Sequence, residues 1–107
     1  AEGDGFVDLQ VAILCNQAAC HLKLGDGAGA LKVADRASAF KVPTGSAAGM
    51  KVAYRRACAL EAVGDWDEAR RAFKSVLEVD PKNSKGSQVI ANSKANNLTT
   101  FLRFAAL

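Results

Sequence analysis

The sequence predicts an all-α fold: two stacked helical hairpins followed by a C-terminal helix. Three observations carry that prediction. Half of the 107 residues are hydrophobic, with alanine the largest contributor to that share and aromatic residues only 7% of the chain, a composition that favours closely packed helices. A Gly-Asp pair ends an apolar helical run twice, in "ACHLKLGDGAGA" around Gly25 and "ACALEAVGDWDEA" around Gly64. After each pair a second helical run begins, so one helix-turn-helix unit occurs twice.

The first unit spans residues 11–44. Ala18, Gly25, Ala30 and Ala37 fall in register with the second unit, but Gly27 stands where an aromatic knob is expected and Gly29 adds another weak helix former. Its second helix is therefore expected to be the softest element. The stretch "GSAAG", Gly45 to Gly49, reads as an extension of the loop between units. In the second unit, residues 50–83, Asp65 is placed as an N-cap, with Glu68 completing a capping-box pattern. Trp66, Ala69, Phe73, Val76 and Leu77 then recur at spacings of three and four, which predicts a helix that buries them. It stops at Asp80-Pro81, since proline disfavours helix in the residue before it. Beyond it, Ser84 is a candidate N-cap for a terminal helix over 84–107, with Leu98, Phe101, Leu102 and Ala105 at helical spacing.

The segment Met50 to Asn83 resembles a tetratricopeptide repeat, with its 34-residue period and with glycine, tryptophan, alanine, phenylalanine and proline in register at Gly64, Trp66, Ala69, Phe73 and Pro81. That resemblance implies one domain over residues 1–107, a short right-handed solenoid whose terminal helix caps the last repeat. It also implies that the first helix of each pair lines a concave groove. On those helices the stripe at i, i+4, i+7 and i+11 reads Ala12, Asn16, Ala19, Lys23 and then Lys51, Arg55, Cys58, Ala62, with Lys85 opening the next. Small residues allow an extended peptide to approach, and the cations can converge on carboxylates.

"CNQAACHLKLGD" and "MKVAYRRACALEAVGD" are further similar to the repeats of heat-shock co-chaperones: large immunophilins, Hop-like organising proteins and the myosin chaperones with a UCS domain. In those families a five-residue carboxylate clamp holds the C-terminal EEVD tail of heat-shock proteins 90 and 70. The resemblance places Asn16, Lys51 and Arg55 at clamp positions, with Lys23 and Ala19 as secondary peptide contacts. The other two clamp residues, a lysine and an asparagine, belong to an earlier repeat outside these 107 residues. A co-chaperone interaction module in the cytoplasm, binding an acidic chaperone tail, is thus expected. A scaffold repeat docking another protein through apolar surface, and the non-catalytic region of a prolyl isomerase, are the alternatives.

Composition limits the other classes. The formal charge of +3 lacks the dense basic stripe and stacking aromatics of a nucleic-acid surface. Cys15, Cys20 and Cys58 are odd in number and lack CxxC spacing, and His21 is the lone histidine, so neither a disulfide framework nor a metal site is favoured. No apolar run is long enough to span a bilayer. No nucleophile elbow, phosphate loop or carboxylate pair suggests an enzyme or a cofactor; "GDGAGA" lacks the strand before it and the GK[ST] after it. Arg56 lies off the groove stripe and reads as a surface residue, and His21 as a structural one. The chain opens on Ala1 rather than Met, as a piece of a longer protein does. The side of the first helix around Val7, Leu9, Ile13 and Leu14 is then expected to be bare and to favour a homodimer.

Overall fold

A computed structural model describes residues 2–43, 45–83, 85–88 and 90, with side chains placed from Gly5 onward. Four helices follow in order: α1 (Glu2–Lys23), α2 (Gly27–Ser38), α3 (Ala47–Ala62) and α4 (Trp66–Val79). The described residues contain helices and turns with no strand. α1 pairs with α2 and α3 with α4, while α3 also packs on both helices of the first hairpin. This is the all-α stack of helical hairpins that the twin turns predict.

Each hairpin turns at a glycine of positive φ, Gly25 at 77° and Gly64 at 83°, a backbone region costly for any residue with a Cβ. The following aspartate caps the next helix. Asp26 Oδ1 accepts the Gly29 N–H at 2.9 Å, and Asp65 Oδ1 accepts the Glu68 N–H at 3.5 Å. The reciprocal half of the expected capping box is replaced: the Glu68 carboxylate pairs with Arg71 one turn on. α2 forms despite its glycines, and its first residue, Gly27, is buried against the end of α3.

Two boundaries differ from the sequence expectation. α1 begins nine residues before the first unit was placed. Ala47 to Gly49 belong to α3 rather than to the loop, because Ser46 caps that helix by accepting the Gly49 N–H at 3.1 Å. After α4, Asn83 accepts the Gly86 N–H at 2.8 Å ahead of helical residues 85–88, and Ser84, the expected cap, lies outside the described residues. The rest of the predicted terminal helix, with Leu98, Phe101, Leu102 and Ala105, lies outside the described residues.

The core is built from small and branched residues. Val11, Leu14, Cys15 and Ala18 of α1 meet Val33 and Ala37 of α2 and Val52 of α3. A second cluster joins Ala57 and Phe73, with Tyr54 edge-on to Phe73 at 6.2 Å between ring centroids, a favoured aromatic geometry. Trp66, expected in the core beside Phe73, is instead 39% exposed. Val7 and Leu14 are likewise not bare: Val7 packs against the first cluster and Leu14 belongs to it, whereas Phe6, Leu9 and Ile13 are exposed.

Candidate functional site

α1 and α3 lie side by side, and the seam between them holds the predicted binding residues. Their 3.6-residue period sends Asn16, Ala19 and Lys23 of α1 toward the same side as Arg55 of α3. These four, with Cys20 and Leu22, line one open cavity of about 530 Å³. Asn16 and Lys23 are exposed and Arg55 is half-buried. The exposed amide of Asn16 can meet a ligand.

Lys51 occupies the adjoining cavity one turn back along α3. That space, about 230 Å³, is lined by Asp8, Val11, Ala12, Cys15, Ala47 and Ala48 as well as Lys51. The structure therefore groups Asn16, Ala19, Lys23 and Arg55 together and sets Lys51 beside them, next to a carboxylate that sequence reasoning missed. Asp8 stands four residues before Ala12 on the same helical stripe, which reaches back that far because α1 starts at Glu2.

Among the described residues, none of Lys23, Lys51 and Arg55 is in an ion pair. The Arg55 guanidinium lies 5.8 Å from the Tyr54 ring centroid, within cation–π range. Its positive charge is held over an aromatic face rather than cancelled by an acid. Lys85, the first residue expected on the third stripe, behaves differently: its Nζ bonds Glu61 Oε1 at 3.1 Å. Glu61 Oε2 is buried with no partner among the described residues.

The cysteines under the groove are not activated. Burial pushes the Cys58 thiol up from its ordinary 9.0, outweighing a hydrogen bond from Tyr54 and the nearby charge of Lys85 and Arg55. Cys15 is raised by burial in the same way, against the pull of Arg55 and Lys51. Both are neutral near pH 7 and act as small packing residues. His21 has an acid beside it after all, with Nδ1 3.0 Å from Asp26 Oδ2, but Asp26 is the α2 cap and the pair closes the hairpin. Arg56 bonds Asp35 of α2 through Nε at 2.8 Å, tying the two hairpins together on the outer side. No group of three metal-ligating side chains occurs among the described residues, and none of their helices is long and apolar enough to cross a membrane.

Stacked helical hairpins carrying a groove of small residues and of cations that are in no ion pair among the described residues fit a protein-interaction module. Residues 50–83 match the family description "Tetratricopeptide repeat", in keeping with the stacked helical hairpins of the fold. Over 74 residues, 69% of the chain, it is 39% identical to a mouse (Mus musculus) protein described as "FK506-binding protein-like", covering 20% of that relative. The chain thus spans about one fifth of the length of the relative it matches. No solved structure matches it significantly.

Proposed function

We propose that the α1–α3 groove captures the acidic C-terminal tail of a chaperone, of the EEVD type carried by heat-shock proteins 90 and 70, as a partial carboxylate clamp. The observation that carries this reading is the single cavity shared by Asn16, Ala19, Lys23 and Arg55, whose cations are in no ion pair among the described residues. Arg55, with Lys51 of the adjoining cavity, meets the terminal carboxylate, Asn16 bonds that carboxylate or the peptide backbone, and Lys23 meets an upstream acidic side chain. Ala19 keeps the floor low enough for the peptide to lie close. The similarity to an FK506-binding protein-like relative supports a co-chaperone setting in the cytoplasm and a prolyl isomerase domain elsewhere in a longer parent.

Titration of an EEVD peptide is the test. A charge-assisted bond to a carboxylate contributes about 1.5–3 kcal/mol, so Arg55→Ala is expected to weaken binding by roughly ten- to a hundredfold. Amidating the peptide terminus should weaken it comparably. Equal affinity for the wild-type chain and the Lys51→Ala/Arg55→Ala double variant would remove the clamp. Docking of another protein through apolar surface is the competing reading, and it would persist at high salt where clamp binding fades. Homodimerisation is favoured by the exposed Leu9 and Ile13 side chains; sedimentation over a concentration series decides it, a constant monomer ruling it out.

A further inference from the structure

Lys85 lies 34 residues after Lys51, one repeat further along the chain. Lys23, Lys51 and Arg55 are in no ion pair among the described residues, whereas the Lys85 Nζ bonds Glu61 Oε1 at 3.1 Å. The Lys85 ammonium is close enough to Cys58 to draw on that thiol, as the Arg55 guanidinium does. Cys58 belongs to the α3 stripe, so Lys85 borders the groove beside Arg55.

Glu61 is a poor partner for it. A carboxylate in water has both oxygens hydrated, but in Glu61 only Oε1 has a donor. Oε2 is shut from solvent with no hydrogen-bond partner among the described residues. Lying down on α3 therefore strips one oxygen of water without replacing its bond, a cost that weakens the net attraction to Lys85. Asp26 shows the contrast, since each of its oxygens meets a donor, Gly29 N–H and His21. The Lys85 side chain keeps 42% of its surface exposed and Glu61 24%, so a ligand can reach the ammonium from the groove side.

Glu61 stands one residue before Ala62, the last position of the stripe, and its carboxylate thus enters from the flank of α3. By turning outward it would regain water on both oxygens and leave the Lys85 ammonium facing the groove. A carboxylate from a ligand can then take its place with no loss of charge pairing. A neutral side chain cannot, because it would leave Lys85 without a counter-charge.

We propose that Lys85 is a further contact for the bound tail, taking a second acidic side chain of the peptide, and that Glu61 holds its ammonium only while the groove is empty. The inference rests on the clamp reading above, in which Lys23 meets one upstream acid. Lys23 on α1 and Lys85 after α4 then read two acids from different elements, and the exchange at Lys85 selects for the second.

Calorimetric titration of three peptides, EEVD, QEVD and EQVD, tests the contact. Lys85→Ala should weaken EEVD by up to about fivefold, the range of an exposed charge pair, and should leave unchanged the affinity for one of the two glutamine peptides. Lys23→Ala should show the same pattern with the other glutamine peptide. Glu61→Gln should tighten EEVD by a similar factor, and most of that gain should vanish in Glu61→Gln/Lys85→Ala. Lys85→Gln, which keeps most of the side-chain stem, should behave as Lys85→Ala, and thermal midpoints show that each variant is folded. If Lys85→Ala changes nothing, or weakens all three peptides equally, Lys85 is no contact for an acid and the proposal falls. Unchanged or weaker binding in Glu61→Gln overturns the exchange. Arg55→Ala and the amidated EEVD peptide report on the clamp itself. Their binding as wild type would remove the clamp reading, whereas weakening there with no Lys85 effect would remove only this inference.

Discussion

A methyl group on residue 27 would stand 2.9 Å from the Ala62 Cβ and 3.0 Å from the Ala62 carbonyl carbon. Neither neighbour can rotate away, since one is a Cβ and the other is main chain. Gly27→Ala is therefore expected to lower stability by about 1–3 kcal/mol, the usual cost of overpacking, as read by chemical denaturation. The sequence marks this position as a missing aromatic knob, because Trp66 stands at its counterpart in the second unit. The structure gives the physical reason for both residues. Where the position is glycine, the next hairpin closes directly on the backbone; Trp66 leaves room for a side chain, and is 39% exposed. Sequence pattern shows that a position faces its neighbour, but not how closely the neighbour's backbone approaches.

Each hairpin depends on its capping aspartate, and the two caps are unequal. Asp26 uses both oxygens, one on the Gly29 N–H at 2.9 Å and one on His21 at 3.0 Å, whereas Asp65 makes a single 3.5 Å bond to Glu68. Asp26→Ala should thus lower the thermal midpoint more than Asp65→Ala. The pH dependence has a definite sign. The Gly29 N–H, followed by the neighbouring His21, holds the Asp26 carboxyl below its ordinary 3.8. A carboxyl depressed in the folded state stabilises it above the ordinary value, and the contribution is lost as pH falls through the folded pKa. In Asp26→Asn the acid-side loss of stability should be shallower below pH 4, measured as thermal midpoint against pH.

Both turns, the Asp65 cap and three of the four helices were legible in the sequence, because Gly-Asp and the spacing of three and four are local signals. The early start of α1 was not. Its first turns carry Gly3 and Gly5, and Phe6 and Leu9 face solvent, so they show no one-sided apolar pattern. For the groove, the cations and Asn16 followed from their stripe and from family resemblance. What the stripe omitted were the carboxylates, Asp8 before its first residue and Glu61 one residue off it.

Those carboxylates set the charge along the whole groove. At one end Asp8 shares a cavity with Lys51, and at the other Glu61 is bonded to Lys85. Between them Lys23 and Arg55 stand beside Asn16 with no acid lining their cavity. The net positive potential is thus concentrated at the middle of the groove, and an acidic tail should be held most strongly there. Asp8 then acts against the tail, because its charge offsets Lys51 and repels any carboxylate placed near it. An exposed charge interaction is worth about 0.2–1 kcal/mol, so Asp8→Asn should tighten binding of an acidic peptide by up to roughly fivefold at low ionic strength. The gain should shrink as salt shortens the screening length to a few ångströms, about 3 Å at 1 M. Calorimetric titration at two salt concentrations measures both effects. A gain equal at both would mean that Asp8 acts through local structure, and weaker binding would show that Asp8 orients Lys51 rather than opposing the ligand.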